Sequence, residues 1–258
     1  MRLVLLTSQN NNVNFELVKQ IINEISECQL DIYFCKTIRS KKVLVQRQIK
    51  NIKRNGLMWV PYRLTVAFSD IFKKNNGENS TPLLAKVIEL RRVTLKIVPS
   101  YNSEELKKEI RDNQYDLGIV FGTGIIKKDL FSLPKKGMIN IHQGLTQWYR
   151  GQPPVFWELY NDERETGITI HKVAEKLDCG DIIFQKREEI LPDDTLENLE
   201  RKLDQLVIEN LPGIIKKILD DSISVIPVDL ARGKTYTRPT LKEMYELKRR
   251  LKTRKRQA

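Results

Sequence analysis

The sequence predicts an α/β protein built on an open, mostly parallel, twisted sheet flanked by helices. Two observations indicate this class: short apolar runs alternate with amphipathic stretches of helical length, and polar turns separate them. The chain has 258 residues, of which 40% are hydrophobic and 30% are charged, so it is long enough to bury a sizeable core. A Rossmann-like arrangement of strands and helices follows from this alternation.

The first elements form a βαβ pattern. Leu3–Leu6 is a buried strand, an amphipathic helix runs over about Phe15–Glu27, and Asp31–Cys35 is a second strand. The loop Asn10–Asn12 opens the helix. Because the first amides of a helix attract anions, this loop is a candidate phosphate site, and an ordinary polar turn is the alternative. The GxGxxG pattern is absent, so a nicotinamide cofactor has no support.

A basic segment interrupts the alternation at about residues 37–82. Lysines and arginines interleave with apolar residues there, and Pro61 divides the pattern into two shorter helices or one kinked helix. Residues 74–82 form a loop. Two interpretations remain for this insertion: a lid over the ligand-binding edge of the sheet, or a helical pair that fills a groove.

Regular alternation returns after the insertion. Helices are predicted at 83–92, 103–112, 125–131 and about 154–161, then from a capping box at Asp194 and Glu197 to Leu219, and from Pro239 onward. Strands are predicted at 94–98, 116–121, 138–142, 167–173, 182–190 and 224–228. We expect residues 1–228 to form the main domain, with the helical insertion at about 37–82, and residues 229–258 to form a short basic carboxyl-terminal extension.

The charge balance predicts anionic partners. The net charge is +12, from 45 Lys and Arg against 33 Asp and Glu, and seven of the nine residues 248–256 are basic. That tail is either a solvated helix end or a basic arm. Aromatic residues are not interleaved with the charge, so nucleic acid is allowed but not favoured. The three cysteines lack metal spacing and predict a reduced, cytoplasmic protein, and no apolar run is long enough to span a membrane.

The stretch Gly137–Asp181 holds the candidate site. It contains both histidines of the chain, His142 and His171. In the strand Met138–His142, side chains alternate, so Asn140 and His142 point to one side while the isoleucines between them point to the other. Ligands of open parallel sheets bind at the carboxyl ends of the strands. An amide and an imidazole therefore lie together where a ligand is expected.

Three motifs in this stretch resemble the folate-dependent formyltransferase family. They are NIHQGLTQWYRG at 140–151, TGITIH at 166–171 and LDCGDI at 177–182. The family includes glycinamide ribonucleotide, methionyl-tRNA and amino-sugar formyltransferases. The resemblance is good over about Val120–Gln185 and covers Met1–Cys35 only in outline. Two features of this sequence resemble the amino-sugar branch more than the others: Gln143-Gly144 after the histidine, and the aromatic pair before Arg-Gly.

The resemblance implies a site and its ligands. The family's catalytic Asn, His and Asp fall on Asn140, His142 and Asp178, and its formyl donor is 10-formyltetrahydrofolate. Of two nearby aspartates, only the resemblance selects Asp178 over Asp181, and we interpret His171 as structural. The implied folate residues are Gly122, Thr123, Gly124, Ile125, Ile126, Val173 and Leu177, and the candidate acceptor residues are Asn10, Asn11, Asn12, Gly144, Arg150 and Gly151. For Arg150, contact with the substrate and bracing of its loop are equal alternatives.

The expected reaction moves a formyl group to a primary amine, most simply that of a nucleotide-linked amino sugar. Asn140 and His142 would stabilise the oxyanion, and His142, oriented by Asp178, would move protons. No metal is required. The acceptor is expected to be a small, phosphate-bearing amine, and a homodimer is one assembly that we consider. The alternatives are formylation of methionyl-tRNA or glycinamide ribonucleotide, hydrolysis of formyltetrahydrofolate, and RNA binding without catalysis, which the intact residue set disfavours.

Overall fold

The computed structural model describes residues 1–35, 41–64, 86–87 and 89–257. The strands in these residues are β1 (Arg2–Thr7), β2 (Gln29–Cys35), β3 (Val93–Val98), β4 (Leu117–Phe121), β5 (Met138–Gln143), β6 (Tyr149–Gly151), β7 (Glu165–Lys172), β8 (Ile182–Glu189) and β9 (Lys234–Tyr236). The helices are α1 (Asn12–Glu24), α2 (Lys41–Asn55), α3 (Glu104–Asn113), α4 (Lys128–Phe131), α5 (Phe156–Tyr160), α6 (Leu196–Leu219) and α7 (Leu241–Gln257).

Seven strands form the central sheet in the order β3-β2-β1-β4-β5-β7-β8. The first five in this order are parallel, and β7 and β8 continue the sheet antiparallel. The strand order departs from the chain order beside β1, where β2 lies on one side and β4 on the other. Ligands of such sheets bind in the crevice at this kind of switch point. The prediction of an open, mostly parallel sheet is confirmed.

Side-chain alternation along the strands builds a core on each face of the sheet. Leu3 and Leu5 of β1 pack with α1 and α6, while Val4 and Leu6 pack with α3 on the opposite face. All four side chains are completely buried. Truncating such a leucine to alanine costs about 2–5 kcal/mol of stability. This double-sided burial explains why the strand reads as a continuous apolar run.

The basic insertion contains two helical stretches in its described part, α2 and residues 59–64. Pro61 was predicted to interrupt the helical pattern, but the two helical stretches are separated at Gly56, which has a φ of +69°. Glycine adopts this left-handed conformation without a Cβ clash, so it ends α2. Pro61 lies in the first turn of the second stretch, where a missing N–H costs nothing. Residues 37–40 and 65–82, with the predicted loop, lie outside the described residues, and the lid remains a prediction.

Two other predicted elements differ from the structure. Residues 224–228 form no strand, because only Ile226 pairs with the sheet, through a single bridge to Ile182. The predicted helix 83–92 ends in a turn at 89–92, and residues 83–85 and 88 lie outside the described part. Arg92 has a φ of 71°, which stops a helix, and its guanidinium donates to the carbonyl of Ile22 at 2.8 Å.

The start of α6 is a further correction. Thr195 caps the helix by accepting from the Asn198 amide at 3.2 Å, whereas a capping box at Asp194 and Glu197 was predicted. Asp194 is instead buried, and it accepts from the Leu191 amide at 2.8 Å and from the Lys202 ammonium at 2.9 Å. Asp194 therefore closes the turn that precedes the helix.

The carboxyl-terminal residues pack against β6 and α5. Strand β9 pairs in parallel with β6, which prediction had left as a loop. Helix α7 lies against α5, where Arg250 donates to the Tyr160 carbonyl at 2.7 Å. The boundary of the domain at residue 228 remains a prediction. Across the described residues, the longest apolar helical stretch falls short of what crossing a membrane would require.

Candidate active site

Strand β5 positions the first two site residues. Asn140 and His142 point to one side of the sheet, and Ile139 and Ile141 are buried on the other, as the period of two predicts. The parallel pairing with β4 ends at Asn140, while the antiparallel pairing with β7 continues to Gln143. The end of β5 therefore projects past β4 into the crevice at the carboxyl edge.

Asp178 meets these two residues from the loop between β7 and β8. Its Oδ1 accepts from the Asn140 side-chain amide at 3.3 Å, and its Oδ2 lies 3.4 Å from His142 Nδ1. The backbone N–H of Gly151 donates to the same Oδ2 at 2.8 Å. Asp178 has a φ of 52°, a conformation that Asp and Asn tolerate better than most residues. The three residues that the resemblance selected thus form one cluster.

His171 belongs to the same cluster, although prediction gave it only a structural place. It lies opposite Asn140 in the β5–β7 pairing, its Nε2 is 3.1 Å from Asn140 Nδ2, and its side chain is buried. The same nitrogen is 3.6 Å from Asp178 Oδ1, and Nδ1 is 2.8 Å from the Lys172 carbonyl. His171 therefore orients Asn140 and Asp178. The signal for this was the strand pairing, which the sequence does not show.

Burial and partners set the protonation states. Burial raises the pKa of Asp178, but the neighbouring His142 and His171 and the Gly151 N–H outweigh it and hold the pKa at about 2. Burial also lowers the pKa of His142, although Asp178 and the Tyr149 carbonyl oppose that effect. The free site therefore holds an ionised Asp178 beside a neutral His142. A neutral imidazole can accept a proton, and the carboxylate stabilises the cation that results.

Two glycines allow the loop after β5 to fold over the imidazole. A Cβ on Gly144 would lie 2.7 Å from His142 Nε2, and a Cβ on Gly151 would lie 2.1 Å from the Tyr236 carbonyl oxygen. Gly151 also has a φ of 93°, which side chains rarely adopt. The loop brings the Tyr149 carbonyl to 3.0 Å from His142 Nε2. Both ring nitrogens of His142 thus face an oxygen.

Arg150 braces the loop. Its guanidinium donates to the carbonyls of Thr146 at 2.8 Å, Gln147 at 3.2 Å and Leu230 at 3.3 Å, and also to that of Gly233. The residue is only 4% exposed. Of the two alternatives for Arg150, these contacts support bracing, because both of its terminal nitrogens donate to main-chain carbonyls. Arg150 joins the β5–β6 loop to the chain that leads into β9.

The segments implied for folate lie at the carboxyl edge beside the cluster. Ile125 is 75% exposed and Leu177 is 50% exposed, while Ile126 is buried. Lys128, three residues after Ile125, lies 3.4 Å from Glu175 in the β7–β8 loop, so the two segments approach each other. Val173 donates its backbone N–H to the Met138 carbonyl at 2.8 Å. The remaining segment, Gly122, Thr123 and Gly124, forms the turn after β4.

The asparagine loop lies at the same edge, where Gln9 packs on Gly122. The Asn11 side chain caps α1 by accepting from the Asn14 amide at 3.1 Å, so this side chain serves the helix. Asn10 and Asn12 are exposed. An anion at this loop would meet the exposed residues and the helix amides. No group of three or more His, Cys, Asp or Glu side chains suited to a metal occurs among the described residues.

Glu158 is a buried carboxyl beside the candidate site that prediction missed. It lies on α5, is 2% exposed, and lines a narrow pocket together with His142, Gln143 and Gly151. Its Oε1 accepts from the Thr166 hydroxyl at 3.4 Å. Burial raises the pKa of the Glu158 carboxyl to about 7. Glu158 falls on an apolar-rich helix, and only packing of α5 against β7 reveals that it faces the imidazole.

Comparison with known proteins agrees with this geometry. Residues 38–215 match the family model described as formyl transferase. Methionyl-tRNA formyltransferase of Kosmotoga olearia is 37% identical over 145 residues, which are 56% of this chain and 46% of that protein. The same enzyme of Thermotoga maritima is 33% identical over 172 residues, 66% of this chain and 54% of that protein. The chain spans about half the length of the curated relatives it matches.

Solved structures share the fold. A sugar N-formyltransferase from a Shewanella species has a TM-score of 0.64 at 17% identity, over 97% of this chain and 87% of that one. Phosphoribosylglycinamide formyltransferase from Bacillus halodurans has a TM-score of 0.59 at 18% identity, and the match covers 86% of this chain and 97% of that one. A third structure is a formyltransferase from Anoxybacillus kamchatkensis in complex with a UDP-linked formamido sugar and tetrahydrofolate. Its TM-score is 0.50 at 25% identity, and the match covers 63% of this chain and 82% of that one. With its family model matched over more than half of its length, this chain belongs to the formyl transferase family.

Proposed function

We propose that this chain transfers a formyl group from 10-formyltetrahydrofolate to the primary amine of a nucleotide-linked amino sugar. The observation that carries the proposal is the cluster of Asn140, His142 and Asp178 at the carboxyl edge of the sheet, with distances of 3.3 and 3.4 Å from Asp178 to the other two. An amide, a neutral imidazole and an ionised carboxylate are the groups that formyl transfer to an amine needs.

The donor site is proposed at the turn after β4 and the loop after β7. The exposed apolar side chains of Ile125 and Leu177 suit the flat, partly apolar ring system of a reduced folate. Gly122, Thr123 and Gly124 offer backbone polar groups beside them, and Val173 and Ile126 support the two segments. When bound there, 10-formyltetrahydrofolate supplies the activated formyl group.

His142 is proposed to move the proton. It is neutral in the free site, because burial lowers its pKa, so it can accept a proton from the attacking amine. Asp178 keeps its negative charge and stabilises the imidazolium. The same proton then goes to the folate nitrogen that leaves. His142 Nε2 now faces the Tyr149 carbonyl at 3.0 Å, so the substrates must take the place of this contact.

Asn140 is proposed to stabilise the negative charge on the formyl oxygen. Its two side-chain N–H groups are directed to Asp178 Oδ1 at 3.3 Å and to His171 Nε2 at 3.1 Å. The contact with Asp178 is the longer one, so it is the one that Asn140 can exchange for the formyl oxygen. A preorganised donor of this kind contributes about 2.7–4 kcal/mol to transition-state stabilisation.

The nucleotide-linked acceptor is supported by the Anoxybacillus kamchatkensis neighbour and its bound UDP-sugar. The net charge of +12 suits the phosphates of such a molecule. Exposed Asn10 and Asn12 at the start of α1, with Gly144 and Gly151 beside the imidazole, would line its path. Methionyl-tRNA is the second candidate, supported by the curated relatives and by the basic face of α7.

One experiment tests the proposal and separates the acceptors. The purified chain is incubated with 10-formyltetrahydrofolate and, in parallel, with UDP- and dTDP-linked amino sugars, methionyl-tRNA, glycinamide ribonucleotide or buffer alone. Release of tetrahydrofolate is followed by absorbance and the formylated product by mass spectrometry, with His142→Ala as the inactive control. We expect turnover with an amino-sugar nucleotide. Turnover with methionyl-tRNA alone would establish the second candidate, turnover in buffer alone would indicate hydrolysis, and no turnover in any reaction would overturn the proposal.

A further inference from the structure

We propose that Glu158 forms the subsite for the acceptor amine: its carboxylate receives the protonated amine beside His142 and takes the proton that the ammonium must lose before it attacks. The inference rests on the proposed function for the identity of the attacking group. It assigns a fourth reacting residue, on α5, in addition to the cluster formed by β5 and the β7–β8 loop.

Geometry places the carboxylate next to the imidazole. Both side chains line the same narrow pocket. The Cβ position above Gly144 lies 2.7 Å from His142 Nε2 and 3.3 Å from Glu158 Oε1. The two atoms are therefore at most about 6 Å apart, on the side of this glycine where a side chain would attach. An amine nitrogen between these two atoms could contact the carboxylate and the imidazole together, and a side chain at residue 144 would crowd it.

The charges around Glu158 make it a proton acceptor rather than a partner in a fixed ion pair. The Thr166 hydroxyl from β7 is its side-chain donor, at 3.4 Å. Arg150, on β6, directs its guanidinium to backbone carbonyls. Burial, and to a smaller extent the negative charge of Glu163 after α5, raises the pKa of Glu158 to about 7. A cationic amine would supply the missing positive charge.

The charged groups on the other elements around this pocket already have hydrogen-bond or ion-pair partners. From α6, Asp204 accepts from the Gln143 side chain at 2.6 Å. From α7, Arg250 donates to the Tyr160 carbonyl and lies 3.3 Å from Asp162. Among the described residues that line the pocket, Glu158 is therefore the carboxylate without a cationic partner.

The proton balance of formyl transfer requires such a group. The acceptor amine is an ammonium at neutral pH, and it must lose one proton to become a nucleophile. When its nitrogen bonds to the formyl carbon, a second proton must leave it, and the folate nitrogen must gain one as its bond to that carbon breaks. His142 moves the second proton to the folate nitrogen. Glu158 takes the first and releases it to solvent after the product leaves.

The pH dependence of Glu158→Gln tests this role, because glutamine keeps the shape and the bond from Thr166. With Glu158, kcat/KM should level off above about pH 7, because the carboxylate deprotonates the amine. In the variant, kcat/KM should rise about tenfold per pH unit up to the amine's own pKa. The deficit should be about 100-fold at pH 7.5 and shrink to a few-fold at pH 9.5. Glu158→Asp should regain the levelling-off at a reduced rate.

A matched control and a second measurement complete the test. Glu200→Gln removes another carboxylate with a raised pKa, on α6 away from the pocket, and should keep the parental profile. In infrared difference spectra of the parental chain, the carboxyl band that Glu158→Gln removes should titrate near pH 7, and methylammonium should shift that titration to lower pH. A deficit that is equal at every pH, or a band that methylammonium does not move, would overturn the inference. If methylammonium shifts the band but no acceptor is formylated, the proposed function fails and the ammonium subsite stands.

Discussion

Two aspartates lie at opposite ends of the same sheet, and both are held by several donors. Asp31, near the amino end of β2, contacts the Arg2 guanidinium at 3.0 Å and the Tyr115 hydroxyl at 2.5 Å, and also accepts from the Thr94 hydroxyl. Asp178, at the carboxyl end, is held by the Gly151 N–H at 2.8 Å and lies 3.4 Å from His142.

The two aspartates differ in whether their partners can gain or lose a proton. Arg2 keeps its charge at any ordinary pH, and burial raises the pKa of the Tyr115 hydroxyl, so the Asp31 cluster has one protonation state. His142 can accept and release a proton, because burial lowers its pKa while Asp178 stabilises the charged form. We therefore expect a buried carboxylate to be structural at the amino edge and catalytic at the carboxyl edge, because the ligand crevice of such a sheet lies at its carboxyl ends.

We expect the largest effect from removing the negative charge of Asp178 at the carboxyl edge of the sheet. Asp178→Asn keeps the size and the left-handed backbone, which asparagine tolerates, but leaves the imidazolium of His142 without its carboxylate. We expect kcat to fall about 100-fold or more while folate affinity changes little. Steady-state kinetics and calorimetry with 5-formyltetrahydrofolate measure the two quantities.

Two further variants make the Asp178 result specific. His142→Ala should resemble Asp178→Asn, and the double variant should be little worse than either, since residues that act as a unit are not additive. Asp181→Asn is the matched control and should keep most activity. An inactive Asp181→Asn beside an active Asp178→Asn would show that the catalytic carboxylate had been assigned to the wrong aspartate.

Glu158 is a third buried carboxyl, and it differs from both aspartates because it has no positively charged partner among the described residues. Its pKa is raised to about 7 from 4.5, so the folded chain holds this proton more tightly than the unfolded chain does. Stability should therefore fall as the pH rises from 4.5 to 7, by about 3 kcal/mol from this group. Glu158→Gln should lack this loss. Urea unfolding of both proteins at pH 4.5 and pH 8 measures it, and equal losses in the two would contradict the prediction.

Asp31→Asn should have the opposite profile from Asp178→Asn. Leaving Arg2 and two hydroxyl donors with a neutral partner should lower the free energy of unfolding by about 2 kcal/mol. Since the site lies at the other end of the sheet, kcat of the folded fraction should not change. Chemical denaturation and kinetics at a temperature where both proteins are folded test this. A fall in kcat as large as that of Asp178→Asn would remove the distinction between the two edges.

The smallest expected effect concerns ionic strength. If the acceptor carries phosphate near the exposed Asn10 and Asn12, its KM should rise a few-fold between 50 and 500 mM salt, because exposed charges are screened. Binding of the folate analogue gives the comparison, since apolar Ile125 and Leu177 dominate its proposed site. A KM that does not depend on salt would argue against a phosphate-bearing acceptor.

Prediction from sequence was strongest where one residue pattern allows one structure. The continuous apolar runs of β1 and β4 predicted buried parallel strands, and the alternation of Asn140 and His142 with isoleucines predicted their common side. The strand predicted at 224–228 was wrong, because an apolar run becomes a strand only where a sheet edge is available along its whole length, and here only Ile226 meets one.

The amino-acid sequence by itself determined the fold class and the family, because these depend on periodicity and on ordered motifs, and the resemblance to that family selected Asn140, His142 and Asp178 as the candidate catalytic residues. Only the tertiary structure decided that His171 supports them, that Arg150 braces the loop and that Glu158 faces the imidazole. Each of these depends on a contact between segments distant in the chain or on the direction of a side chain within a fold. The physical reason is that the environment of a polar side chain, and with it its pKa and its role, arises from packing that no local pattern encodes.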